Sequence, residues 1–102
     1  MPQTKNSYKI RSKVFKYPGM AAWYFIGVPK KQSEEIRKRF GPRARGWGSL
    51  PIQVTIGTTS WKTSIFPDKK SGTYLLPLKA DVRRKEAIDD GETVTVTIEI
   101  KA

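Results

Sequence analysis

One layout occurs twice in this chain, once in each half, and it constrains the fold more than any other feature. Phe25-Ile26-Gly27-Val28-Pro29-Lys30 leads into a charged stretch, residues 31–39, which closes at Phe40-Gly41 and is followed by an apolar run over 50–56. Tyr74-Leu75-Leu76-Pro77-Leu78-Lys79 leads into a second charged stretch, residues 80–88, which closes at Asp89-Asp90-Gly91 and is followed by residues 94–100. Each reads as strand, proline break, short helix, glycine stop, strand. The match is one of pattern rather than identity. It predicts two related strand–helix–strand halves in a mainly β domain, a small closed six-stranded barrel with two short helices, because closure removes the edges on which strands aggregate.

The strands follow from alternation. Tyr8, Ile10 and Val14 alternate with Lys9, Arg11 and Lys13, a half-buried strand with a cationic outer face. Pro18-Gly19 marks a turn. Residues 22–28 are apolar almost throughout, which predicts a strand covered on both faces. Pro29 belongs in the first turn of a helix, with Ser33 as an alternative N-cap. Glu34 and Glu35 suit the positive end of that helix, and Arg37, Lys38 and Arg39 the negative end. Gly41-Pro42 ends it and residues 41–49 form a loop. Leu50, Ile52, Val54 and Ile56 alternate with polar neighbours, Gly57-Thr58 is a tight hairpin, and Trp61, Thr63 and Ile65 share a face. Residues 67–72 are turn chemistry, 73–78 a fifth strand, and 81–88 a short helix with Val82 inward. The last strand places Val94, Val96, Ile98 and Ile100 inside. A single domain over 1–102 is predicted, with residues 1–6 frayed.

The chain contains neither histidine nor cysteine. Disulfides, thiolate nucleophiles, imidazole acid–base chemistry and the usual zinc sites are therefore excluded. No hydrophobic leader is visible and the longest apolar run, 20–28, is far below the ~20 residues of a membrane span; a cytoplasmic protein without membrane contact is expected. The formal net charge is +11, and the first acid in the chain is Glu34. Such a bias attracts polyanions.

Several motifs fail on inspection. Lys70-Ser71-Gly72-Thr73 resembles an element of serine enzymes that also need Ser-x-x-Lys, which is absent. Gly41 and Gly46 have P-loop spacing, but Trp47-Gly48 stands where Lys-Ser/Thr is required. Carboxylates do not pair for acid–base work, and Asp68, alone among the barrel loops, reads as a turn residue. No metal, no cofactor and no catalysis are expected. Trp61 and Trp23 are predicted to pack in the core. Trp47, between glycines and beside Arg43 and Arg45, is either a lid on one barrel end, the reading favoured here, or a surface on which bases or sugars stack.

The residues Gly46-Trp47-Gly48-Ser49-Leu50-Pro51, with the block running from Thr63 to Lys79, resemble a small bacterial domain-of-unknown-function family, found alone or fused to domains of the bacteriocin-protection, OmpD-associated type. That resemblance implies a closed β-barrel and a cytoplasmic domain, and carries no activity or binding residues. The second half also resembles the AbrB and MazE half-barrel in Leu76-Pro77, Val82-Arg83-Arg84-Lys85, Ile88 and Asp90-Gly91-Glu92; proteins of that type are DNA-binding dimers in which two halves make one barrel. The likeness is one of fold.

The sequence thus points to a non-catalytic binding module for a polyanion, with nucleic acid as the leading partner. Arg43, Arg45, Trp47, Lys69 and Lys70 are the candidate anion-binding residues, with the strand residues Lys9, Arg11 and Lys13 as the alternative. The competing readings are a small-molecule or metabolite-phosphate site at one barrel end, lined by Trp47, Trp61, Phe66, Lys69, Lys70 and Tyr74, and an adaptor that contacts another protein. A monomer is favoured.

Overall fold

The structure, a computed structural model, describes residues 6–17 and 23–102. The predicted turn at Pro18-Gly19 and residues 1–5 of the predicted frayed end lie outside the described residues. The elements are β1 (Ser7–Lys16), β2 (Tyr24–Gly27), α1 (Lys30–Phe40), β3 (Leu50–Ile56), β4 (Thr59–Asp68), β5 (Thr73–Leu78), α2 (Ala80–Lys85) and β6 (Thr93–Ile100), with two short 3-10 turns between α1 and β3. The strands close into a barrel in the order β1-β2-β5-β4-β3-β6, and the neighbouring pairs are antiparallel. Exchanging β1 with β4, β2 with β5 and β3 with β6 leaves this ring unchanged. The repeated layout of the sequence is therefore a repeat of topology, and the β2–β5 and β3–β6 seams are each mapped onto themselves.

Alternation sets the inside of the barrel. Along β3, Leu50, Ile52, Val54 and Ile56 are buried while Pro51, Gln53 and Thr55 are half-buried. Val96, Ile98 and Ile100 of β6 and Ile10 and Val14 of β1 complete that wall. Each fully buried aliphatic side chain contributes roughly 1.5–3 kcal/mol relative to its exposed state. Gly57 at φ +55 makes the two-residue hairpin that joins Ile56 to its partner Thr59, as left-handed backbone suits glycine.

The helices close opposite ends of the barrel. Arg37 of α1 donates to the carbonyl of Gly72, beyond the last residue of β4, whereas Glu86, just after α2, accepts from Thr59 at its start. Ile36 and Phe40 of α1 and Val82 of α2 enter the core.

Several details differ from the sequence reading. Pro29 is the N-cap of α1, and the first turn holds Lys30 and Lys31 and no acid. Glu35 lies further along and accepts the Tyr8 hydroxyl, which in turn accepts from Arg39. Burial first, and the Glu35 hydrogen bond second, raise the Tyr8 pKa; Tyr74 is raised by burial, with Arg37 opposing. Ser33 is no cap: it is fully buried. β4 runs through Pro67 to Asp68, so the turn shrinks to 69–72. α2 stops at Lys85, and Ala87 turns the chain out of the helix at φ 53. Asn6 is tied rather than frayed, since its carbonyl accepts the Ile100 N–H.

Candidate functional site

The predicted loop and turn lie at the α1 end of the barrel. Gly48 sits so close to Pro67 that a Cβ there would lie 2.9 Å from the proline Cγ. Arg43, Arg45, Lys69 and Lys70 are all exposed. Trp47 is 94% exposed and holds a left-handed backbone at φ 64. A lid would be covered by what it closes, so the lid reading of Trp47 is corrected. Lys9, Arg11 and Lys13 face outward from β1, opposite Thr97, Thr95 and Thr93 of β6; among the described residues they join no ion pair.

The barrel-end pocket pictured from sequence does not form. Tyr74 is buried in the core, Trp61 packs against the core with its indole N–H unpartnered, and Trp47 projects into solvent. The prediction for Trp23 also fails, because it is 51% exposed.

Trp23 instead belongs to a surface that the sequence reading missed. Since Val14 of β1, Ile26 of β2 and Ile65 of β4 are buried inward, their neighbours Phe15, Phe25 and Phe66 must face out. Phe15 is opposite Phe25 across β1–β2, Phe25 is opposite Pro77 across β2–β5, and Phe66 is opposite Leu75 across β4–β5. Trp23 stacks on Phe25 with centroids 6.1 Å apart and planes 18° apart, and Tyr17 meets Phe25 edge-on at 5.5 Å. Leu75 is buried yet stands outside the barrel core: it lies under this outer layer.

The result is an aromatic groove across the outside of β1, β2, β5 and β4. It consists of three contiguous basins of about 290, 310 and 270 Å³. The first, at Gly27, shares Tyr17, Asp68 and Leu75 with the second, and the second shares Trp23 and Pro77 with the third. Pro67 lines the middle basin, so the Trp47 loop adjoins the groove through Gly48.

A family model described as a domain of unknown function (DUF1905) matches residues 11–98. The chain belongs to the DUF1905 family. No curated protein matches the chain. The match takes in every groove residue named above, whereas Lys9 of the basic strand falls before it.

Cations border the groove of this DUF1905 domain. The Arg83 guanidinium lies 3.7 Å from the Tyr24 ring centroid and its Nε donates to the Leu78 carbonyl at 3.4 Å, so its plane is fixed beside the third basin. Lys79 lines the same basin and Lys70 the first. Lys16 Nζ also lies over the Tyr24 ring, 5.7 Å from its centroid. Of the sequence-predicted site residues, the structure puts Lys70 and Phe66 in the groove and the Trp47 loop beside it. The available signal was the phase of Phe15 and Phe66 relative to their inward neighbours, together with a glycine inside β2.

Chemically, flat apolar surface with fixed cations at its rim is suited to binding planar rings joined by anions. Among the described residues no group of three or more acidic side chains is placed to hold a metal ion, and no helix is long and apolar enough to cross a membrane.

Proposed function

We propose that this DUF1905 domain is a non-catalytic cytoplasmic module that binds single-stranded nucleic acid, with bases against the outer aromatic groove and phosphates against its rim. The observation that carries this reading is the outer layer of exposed Trp23 and Phe66 with half-buried Phe25, on a sheet face that no other described element covers, bordered by Arg83, Lys79 and Lys70. Base–aromatic stacking contributes about 1–3 kcal/mol per base and tolerates any sequence. Three basins of similar size in a row suit successive units of a polymer better than one compact metabolite. The net charge of +11 selects a polyanion over a neutral proline-rich peptide, which is the other occupant of aromatic grooves. Arg43, Arg45 and Lys69, with the Trp47 loop that meets Pro67 through Gly48, extend the phosphate-contacting surface, and Lys9, Arg11 and Lys13 add to the attracting field.

The test is fluorescence anisotropy with a short labelled mixed-sequence single strand. Binding at about 50 mM salt is expected, weakening with log salt by roughly 0.7 in log K per phosphate contacted. Absence of binding there overturns the reading. Saturable binding of a proline-rich or acidic peptide without any nucleic-acid binding replaces it with the adaptor role.

A further inference from the structure

The first basin of the groove is built around a glycine that the fold does not require. Gly27 is the last residue of β2, paired with Leu75 and facing outward between the buried Ile26 and Val28. It does not hold a left-handed backbone, and a Cβ on it would find its nearest neighbours at ordinary contact, 3.9 Å to Leu75 Cδ2 and 4.0 Å to Thr73 Oγ1. What the missing side chain does is leave the basin of about 290 Å³ open, over Leu75 and between Phe15, Tyr17 and the 69–72 turn. With no Cβ at this outward-facing position, a ligand can approach the backbone closely.

The polar side of the basin is an oriented carboxylate. Asp68 Oδ2 accepts both the backbone N–H of Ser71 at 3.1 Å and its hydroxyl at 2.8 Å. The Ser71 hydroxyl also shares a hydrogen bond with that of Thr73 at 2.8 Å. Oδ1 has no hydrogen-bond partner among the described residues, and Asp68 joins no ion pair there in a protein with a large excess of cations. Lys70 lines the same basin. With Oδ2 already accepting twice, the free acceptor is Oδ1, whose two lone pairs can take two adjacent N–H donors together. Guanine alone among the common bases presents such a pair on its Watson–Crick edge, N1–H and N2–H. Adenine and cytosine place a ring-nitrogen lone pair next to their amine, and uracil or thymine flanks a single N–H with two carbonyls, so each turns a lone pair toward the carboxylate.

We propose that the Gly27 basin takes one guanine of the bound strand, its ring over Leu75 beside Phe15 and Tyr17, its donor edge on Asp68 and its O6 toward Lys70. This deepens the single-strand reading and rests on it for the strand, though not for the base. The experiment compares oligothymidine strands carrying a single central guanine or a single central inosine, which lacks only the N2 amine. The guanine strand is expected to bind about tenfold tighter, the scale of one hydrogen bond from the N2 amine to a charged acceptor. Asp68→Asn, which preserves the side-chain turn to Ser71, is expected to bring the guanine-to-inosine ratio to about one. Gly27→Val, a residue that strands favour, fills the basin and is expected to do the same with an unchanged far-UV spectrum. A ratio near one in the native protein, or one that survives Asp68→Asn, overturns the guanine site and leaves strand binding standing. Should no strand bind, titration with guanosine monophosphate by NMR separates the two ideas. Shifts at the amides of Gly27, Asp68 and Ser71, absent with inosine monophosphate, retain the base site and reject the strand; no shift rejects both.

Discussion

The Ser33 hydroxyl accepts the backbone N–H of Tyr74 at 3.0 Å, across forty-one residues of chain. The same hydroxyl donates to the Val28 carbonyl at 2.9 Å, and Val28 in turn donates its N–H to the Tyr74 carbonyl. One buried side chain thus clips α1 to the β2–β5 seam where the strand pairing ends. Ser33→Ala orphans a buried N–H, which costs about 1–3 kcal/mol. At about 4–8 °C per kcal/mol for a domain of this size, thermal unfolding should shift down by several degrees, with nucleic-acid binding unchanged below the transition.

Trp23 contributes a half-exposed stacked ring and no core contact. Trp23→Ala is expected to weaken single-strand affinity at least fivefold, the lower end of the range for one stacked base, and to move the melting temperature little. Parallel losses of affinity and stability would make the ring structural.

Trp47 holds a left-handed backbone with almost its entire side chain in solvent. That conformation costs a bulky residue about 1–2 kcal/mol that glycine does not incur. Trp47→Gly should therefore leave stability equal or higher in thermal unfolding while lowering affinity for the strand; a stable variant with full affinity would exclude Trp47 from the interface.

Gly57 faces the carboxylate of Glu86, which accepts from the Thr59 hydroxyl at 2.6 Å. A methyl at Gly57 collides with that carboxylate and is strained at φ +55. Gly57→Ala should cost about 1–3 kcal/mol in denaturant unfolding, the strain of left-handed backbone plus the lost hydrogen bond. Gly27→Ala, at an ordinary strand position, should be neutral or stabilising by comparison.

Tyr8 and Tyr74 carry raised pKa values, both mainly through burial. In the alkaline range just above 10.0 the folded protein therefore holds protons that the unfolded chain has released. By linkage their contribution is complete below 10.0 and is lost as pH rises through the raised values. Tyr8→Phe should flatten part of the alkaline fall in unfolding free energy, measured by denaturant titration across pH 9–12.

The barrel was legible because its inner face is written with period two: Leu50, Ile52, Val54 and Ile56 in β3, Val96, Ile98 and Ile100 in β6. The repeated layout pointed to two related halves, while the ring order is known only from the structure. The groove was not, because hydrophobicity alone does not distinguish a residue that faces the core from one that faces out under other aromatics. Residues 22–28 looked covered on both faces, yet the cover over Phe25 comes from Phe15 and Tyr17, placed by the β1–β2 register rather than by anything local. Trp23 was read as core for the same reason. Asp68 reads from sequence as a turn residue but ends β4, and only its carboxylate reaches into the 69–72 turn; that this turn stands at the rim of a basin follows from the β4–β5 pairing of Asp68 with Thr73.

Exchange of the two halves leaves the β2–β5 seam in place, and the groove lies across that seam. A feature placed off the two self-mapped seams would be inherited in two copies, free to diverge; one on a seam is inherited once and composed jointly. Phe25 and Gly27 come from the first half, Leu75 and Pro77 from the second. Neither half encodes the groove by itself, so a substitution in either changes the same surface, and no spare copy shelters it from selection.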